Sequence, residues 1–64
     1  MKEHLTAATA NYLLERVGRR VALCEQQGGQ WITIRRSITL HQAGYFGFNP
    51  QSPAVMKVFG LIKG

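Results

Sequence analysis

The sequence predicts a small α+β domain: an N-terminal helix, an antiparallel β-hairpin with room for a short third strand, and a C-terminal helix. Three observations carry that class. Residues 31–40, W-I-T-I-R-R-S-I-T-L, alternate apolar and polar side chains, the two-residue period of a strand buried on one face. Gly28-Gly29 separates this run from a second apolar run at hairpin spacing. Ahead of both lies residues 3–17, rich in Ala and Leu and free of Gly and Pro, a composition with high helix propensity.

In the expected first helix, Thr6, Ala10, Leu13, Leu14 and Val17 share one arc at 100° per residue. Gly18 stands where a left-handed C-terminal cap would end it. Tyr12, Arg16 and Arg19 are spaced i, i+4, i+7, so one flank of that helix would carry a ring and two guanidinium groups.

Val21 to Gln26 reads as the first hairpin strand and Q-G-G-Q at 27–30 as its turn, because Gly-Gly tolerates the positive φ of a tight loop. That loop sets a register in which Gln26 faces Trp31, Glu25 faces Ile32, Cys24 faces Thr33 and Leu23 faces Ile34. Ile32, Ile34, Ile38 and Leu40 then point inward, while Trp31, Thr33 and Arg35 point outward. Arg36 falls on the apolar side, which calls for a bend or bulge at 35–37, or for its stem to lie along the core edge.

From His41 to Pro53 the alternation lapses into a loop holding Gly44, Tyr45, Phe46, Gly47 and Phe48, with 44–48 as the candidate third strand. Ser52-Pro53 opens the C-terminal helix, Ser as N-cap and Pro at the first helical position. Val55, Val58, Phe59, Leu61 and Ile62 make this segment apolar nearly all round. It therefore has to pack on the hairpin and also meet another chain, which predicts a homo-oligomer formed through residues 54–62.

Sixty-four residues make a single domain, residues 1–64, with a small core. One cysteine, Cys24, allows no internal disulfide. Cys24, His4 and His41 lack the paired spacing of a zinc site, so no metal is expected. No apolar run is long enough to span a bilayer, and the first residues do not read as a signal peptide. A lone thiol without such a leader points to the cytoplasm. The net charge of +5, with no Asp and five Arg among eight basic residues, favours anionic partners.

Carboxylate-dependent chemistry is disfavoured, since Glu3, Glu15 and Glu25 are scattered. His41 as general base with Arg35, Arg36 or Tyr45 would be the minimal metal-free route to phosphoryl transfer, but the sequence favours a surface histidine. G-Y-F-G-F at 44–48 lacks the Lys and spacing of a phosphate-cradling loop. It also lacks the basic residue that opens the RNA-binding strand of RRM domains. Neither an enzyme nor a cofactor is expected.

What the sequence offers is surface. Tyr12, Arg16, Arg19, Arg20, Trp31 and Arg35 are the candidate contact residues, with Trp31 and Arg35 about 13 Å apart along one strand face. Stacking rings beside phosphate-seeking cations suit single-stranded nucleic acid. The same residue types dominate protein interfaces, so the alternative is an inhibitor or adaptor of a host protein, of the kind mobile elements carry, meeting an acidic protein surface. A third reading lays the Lys-flanked C-terminal helix on a membrane surface.

Overall fold

The computed structural model describes residues 4–7 and 9–62. It begins with a four-stranded antiparallel sheet in meander order, formed by β1 (His4–Thr6), β2 (Tyr12–Val17), β3 (Arg20–Gln27) and β4 (Gln30–Arg35). Two short helices follow, α1 (Leu40–Ala43) and α2 (Pro53–Val58), with a 3₁₀ turn at Gly44–Phe46 between them. The expected N-terminal helix over 3–17 is absent from the described part of that segment, which forms β1, a turn and β2 instead. Glu3 and Ala8 of that expected helix lie outside the described residues.

The turn chemistry explains this correction. Val17 pairs with Arg20, which leaves Gly18-Arg19 as a two-residue loop with Gly18 at φ +62°. Glycine first in such a loop is the type II′ hairpin pattern, whose twist suits antiparallel strands. The left-handed conformation that a helix cap would have used thus serves a hairpin. Y-L-L-E-R-V gains an eight-residue partner strand, and pairing with it outweighs local propensity. Much of the alanine falls in the β1–β2 connection, where Ala7 N–H donates to Tyr12 O (2.8 Å) and Ala10 N–H to Ala7 O (2.9 Å).

The second hairpin turns on Gly28-Gly29 and pairs Gln26 with Trp31, Glu25 with Ile32 and Cys24 with Thr33, as its loop length dictates. The register then slips. Leu23 faces Arg35 rather than Ile34, so β4 carries one extra residue there, the signature of a β-bulge.

Both helices cover one face of the sheet. The core joins Leu14, Val21 and Leu23 of the strands to Ile38, Ala43, Phe48, Val55 and Val58, with Leu5, Tyr12, Ile34, Leu40, Phe46 and Phe59 packed against it. Ile32, expected inward, sits beyond the end of this core and is 39% exposed. No strand forms at 44–48. The 3₁₀ turn there sets the Phe46 ring edge-on to Tyr12 (centroids 5.1 Å, 68°), and Phe48 is buried. The C-terminal helix starts at Pro53 with Ser52 as its N-cap residue. Val55 and Val58 spend most of its apolar surface on the core, leaving Leu61 and Ile62 exposed.

The opposite face of the sheet carries neither helix. Strand pairing assigns to it His4, Thr6, Leu13, Glu15, Val17, Arg20, Ala22, Cys24, Gln26, Trp31 and Thr33. Ala22 and Cys24 are nonetheless buried at 2% and 4% exposure, because small side chains on an inner strand are shielded by longer cross-strand neighbours such as Leu13 and Glu15. The Cys24 Sγ lies 3.6 Å from Thr33 Oγ1, and the thiol is free.

Candidate functional site

Pairing of β2 with β3 and of β3 with β4 carries two Arg-Arg dipeptides to one end of the sheet. Arg19 and Arg20 lie at the β2–β3 turn, while Arg35 and Arg36 leave β4 beside the start of β3. The Arg20 guanidinium donates through Nη1 to the Arg36 carbonyl oxygen, which ties the two dipeptides together. All four arginines are exposed. Arg35 donates to the Ile34 carbonyl (2.9 Å). A carbonyl satisfies a donor without cancelling the positive charge, so these bonds position the cations and leave their field intact. Glu25 stands towards the other end of the sheet, three positions before the Gly28-Gly29 loop, and accepts from Gln27 Nε2 (2.8 Å). Glu15, paired with Ala22, stands closer to the arginine-bearing end, on the face that carries Arg20.

Arg16 belongs to the same end but has another task. Its side chain lies on the helix-covered face, half-buried, with Nη1 donating to Val58 O (3.0 Å) and Nε to Gly18 O (3.2 Å). It thus satisfies a carbonyl at the C-terminus of α2 with a cation, the favourable sign for a helix end, and locks that helix to the β2–β3 turn.

The β4 bulge settles where Arg35 points. With Arg35 opposite Leu23, its side chain emerges on the helix side and not on the face of Trp31. There it lines a surface cleft of about 250 Å³ together with Ser37, Ile38, Gln42, Tyr45 and Phe46. Tyr45 is 73% exposed, and its hydroxyl is 3.0 Å from His41 Nε2 with the rings edge-on (centroids 5.3 Å, 86°). Gln42 is held by a capping box at the start of α1: its N–H donates to Thr39 Oγ1 (3.1 Å), and its Oε1 accepts from Thr39 N–H (3.0 Å). That reciprocal pair orients the amide and leaves Nε2 as a donor at the cleft.

The six residues singled out from sequence thus divide. Arg19, Arg20 and Arg35 converge on the arginine-bearing end. Tyr12 and Arg16 are turned into the packed side of the sheet, because a strand replaces the helix that would have aligned them with Arg19. Trp31 is 39% exposed but lies on the uncovered face, so the expected Trp31–Arg35 surface does not exist. Ser37, Gln42 and Phe46 line the cleft without standing out in the sequence as candidate contact residues. The T-L-H-Q run at 39–42 is a capping-box signature that would have announced α1 and oriented Gln42.

Among the described residues, no three His, Cys, Asp or Glu side chains gather as metal ligands would, and no helix is long and apolar enough to cross a membrane. Comparison with protein families, characterised proteins and solved structures returns no match.

Proposed function

We propose that the protein binds nucleic acid through the arginine-bearing end of its sheet, acting as a small basic binding protein. The observation that carries this reading is the convergence of Arg19, Arg20, Arg35 and Arg36, with no carboxylate of the described residues among their hydrogen-bond partners. Guanidinium groups gathered at one end of a sheet engage phosphate oxygens with a fork geometry that lysine lacks. The test is fluorescence anisotropy with a labelled oligonucleotide over a salt series. Four neutralised phosphates on a single strand give a slope of log affinity against log salt of about −3, or roughly a 50-fold loss between about 50 and about 200 mM. Affinity that stays flat across that range contradicts the reading. A cytoplasmic setting belongs to the same proposal, supported by the single free thiol of Cys24.

A second reading is favoured by a different observation, the sheet face that carries neither helix. Trp31, Leu13 and Val17 stand there, and tryptophan on an open β-surface is a frequent anchor of protein contacts. Recovery of one stoichiometric protein partner after nuclease treatment, lost on Trp31→Ala, selects this reading over the first. Self-association through residues 54–62 is part of the proposal at Leu61 and Ile62, which are 58% and 41% exposed. Light scattering that gives a monomer mass for the wild type disposes of it.

A further inference from the structure

We infer that the cleft beside Arg35 receives one unstacked base of a single strand, making unpaired nucleic acid the ligand class in preference to duplex. This rests on the proposal that the arginine-bearing end binds phosphate, and it adds a base-recognising element to that end.

Four observations lead to it. The cleft volume of about 250 Å³ exceeds the ~150 Å³ of a cavity that holds a benzene ring. That is room for one planar base to enter. Its exposed wall is the Tyr45 ring, with Phe46 beside it, and aromatic faces accept any base by stacking. The Tyr45 hydroxyl bond to His41 Nε2 restrains a side chain that would otherwise swing freely, so less ordering entropy is lost on binding. Two groups on the rim present donors, Arg35, whose guanidinium only donates, and Gln42 Nε2, its Oε1 being engaged by the capping bond, and the Ser37 hydroxyl beside them donates or accepts. A donor-lined slot suits base carbonyls and ring nitrogens, and the adjoining Arg36 suits the phosphate that joins one nucleotide to the next.

Duplex cannot use this slot. Its bases are stacked and paired, and extruding one carries an unpairing cost. The recognition modules that read single strands rely on this difference.

The experiment compares a labelled single-stranded oligonucleotide with the same strand annealed to its complement, at low salt, for wild type, Tyr45→Ala, Tyr45→Phe and Gln42→Ala. Circular dichroism on each variant checks that the fold is kept, which the exposure of Tyr45 favours. The inference predicts tighter binding of the single strand by the wild type. Tyr45→Ala loses roughly 5- to 150-fold on the single strand with little change on duplex, and Tyr45→Phe, which keeps the ring, stays within about threefold. Equal affinity for strand and duplex, or a Tyr45→Ala variant that binds the strand like wild type, overturns the cleft as a base site while phosphate binding by the arginines stands. Absence of binding to either probe overturns both.

Discussion

Replacing Gly60 with alanine tests the packing of Arg16 across the end of the molecule. A Cβ built at Gly60 would lie 2.5 Å from Arg16 Nη1, 3.0 Å from Nη2 and 3.1 Å from Cζ. Gly60 also adopts φ +75°, which costs an alanine about 1–2 kcal/mol, partly offset by ~0.5–1 kcal/mol from the stiffer unfolded chain. The guanidinium is the far end of a flexible side chain, so it yields, but it yields by leaving Val58 O. A hydrogen bond from a charged donor is worth about 1.5–3 kcal/mol. Arg16 is half-buried, so solvent screening reduces this to about 1 kcal/mol. The sum is about 2 kcal/mol, a large share of the few kcal/mol that stabilise a chain of this size, and lowers Tm by roughly 8–16 °C. The assay is a double-mutant cycle in urea with Arg16→Ala. In the Arg16→Ala background, Gly60→Ala retains only its backbone cost, so the coupling energy is about 1 kcal/mol. A Gly60→Ala penalty that is identical in both backgrounds refutes the Arg16–α2 tie.

Three further outcomes follow from the same structure. Leu23→Ala, at a fully buried position on an inner strand, costs about 3–5 kcal/mol and leaves the chain largely unfolded at 37 °C by circular dichroism; a cooperative transition near the wild-type Tm contradicts the assigned core. Cys24 resists alkylation in the native protein and reacts at the rate of a free thiol in denaturant, because shielding by neighbouring strands leaves it almost no exposed surface; rapid native labelling would show that the uncovered face does not protect it. Trp31→Ala changes oligonucleotide affinity by less than about twofold, since the bulge turns Arg35 away from it, and a large loss in the anisotropy assay would return Trp31 to the binding surface.

The part of the fold legible in the sequence is the part where two local signals agree. Around Gly28-Gly29, strict alternation and a loop that admits few geometries point to one register, and the pairing from Gln27–Gln30 to Cys24–Thr33 follows. Residues 3–17 carry signals that conflict. Leu13, Leu14 and Val17 satisfy a helical arc, yet they also satisfy a strand with Leu14 inward and its two companions outward, and Gly18 serves a helix cap or a hairpin equally. The choice falls to β3, a partner distant from the local window, and tertiary pairing overrides the alanines. The arginine dipeptides are visible in the chain, but their meeting depends on that hairpin. The extra residue in β4 has no local mark, and a one-residue slip is enough to move Arg35 from one face to the other. The candidate site is therefore half legible: the sequence names its cations, while the fold sets Tyr45 and Gln42 beside Arg35 and places Trp31 and Tyr12 elsewhere.

The central claim is that the four exposed arginines act together on phosphate, and the slope of affinity against salt counts them. For wild type that slope on a single-stranded oligonucleotide is about −3, and for the Arg35→Gln, Arg36→Gln double variant about −1.4, at ~0.7 per phosphate contact; Trp31→Ala keeps the wild-type slope. A double variant with an unchanged slope would contradict the account, because the charge that binds would then lie elsewhere on the chain.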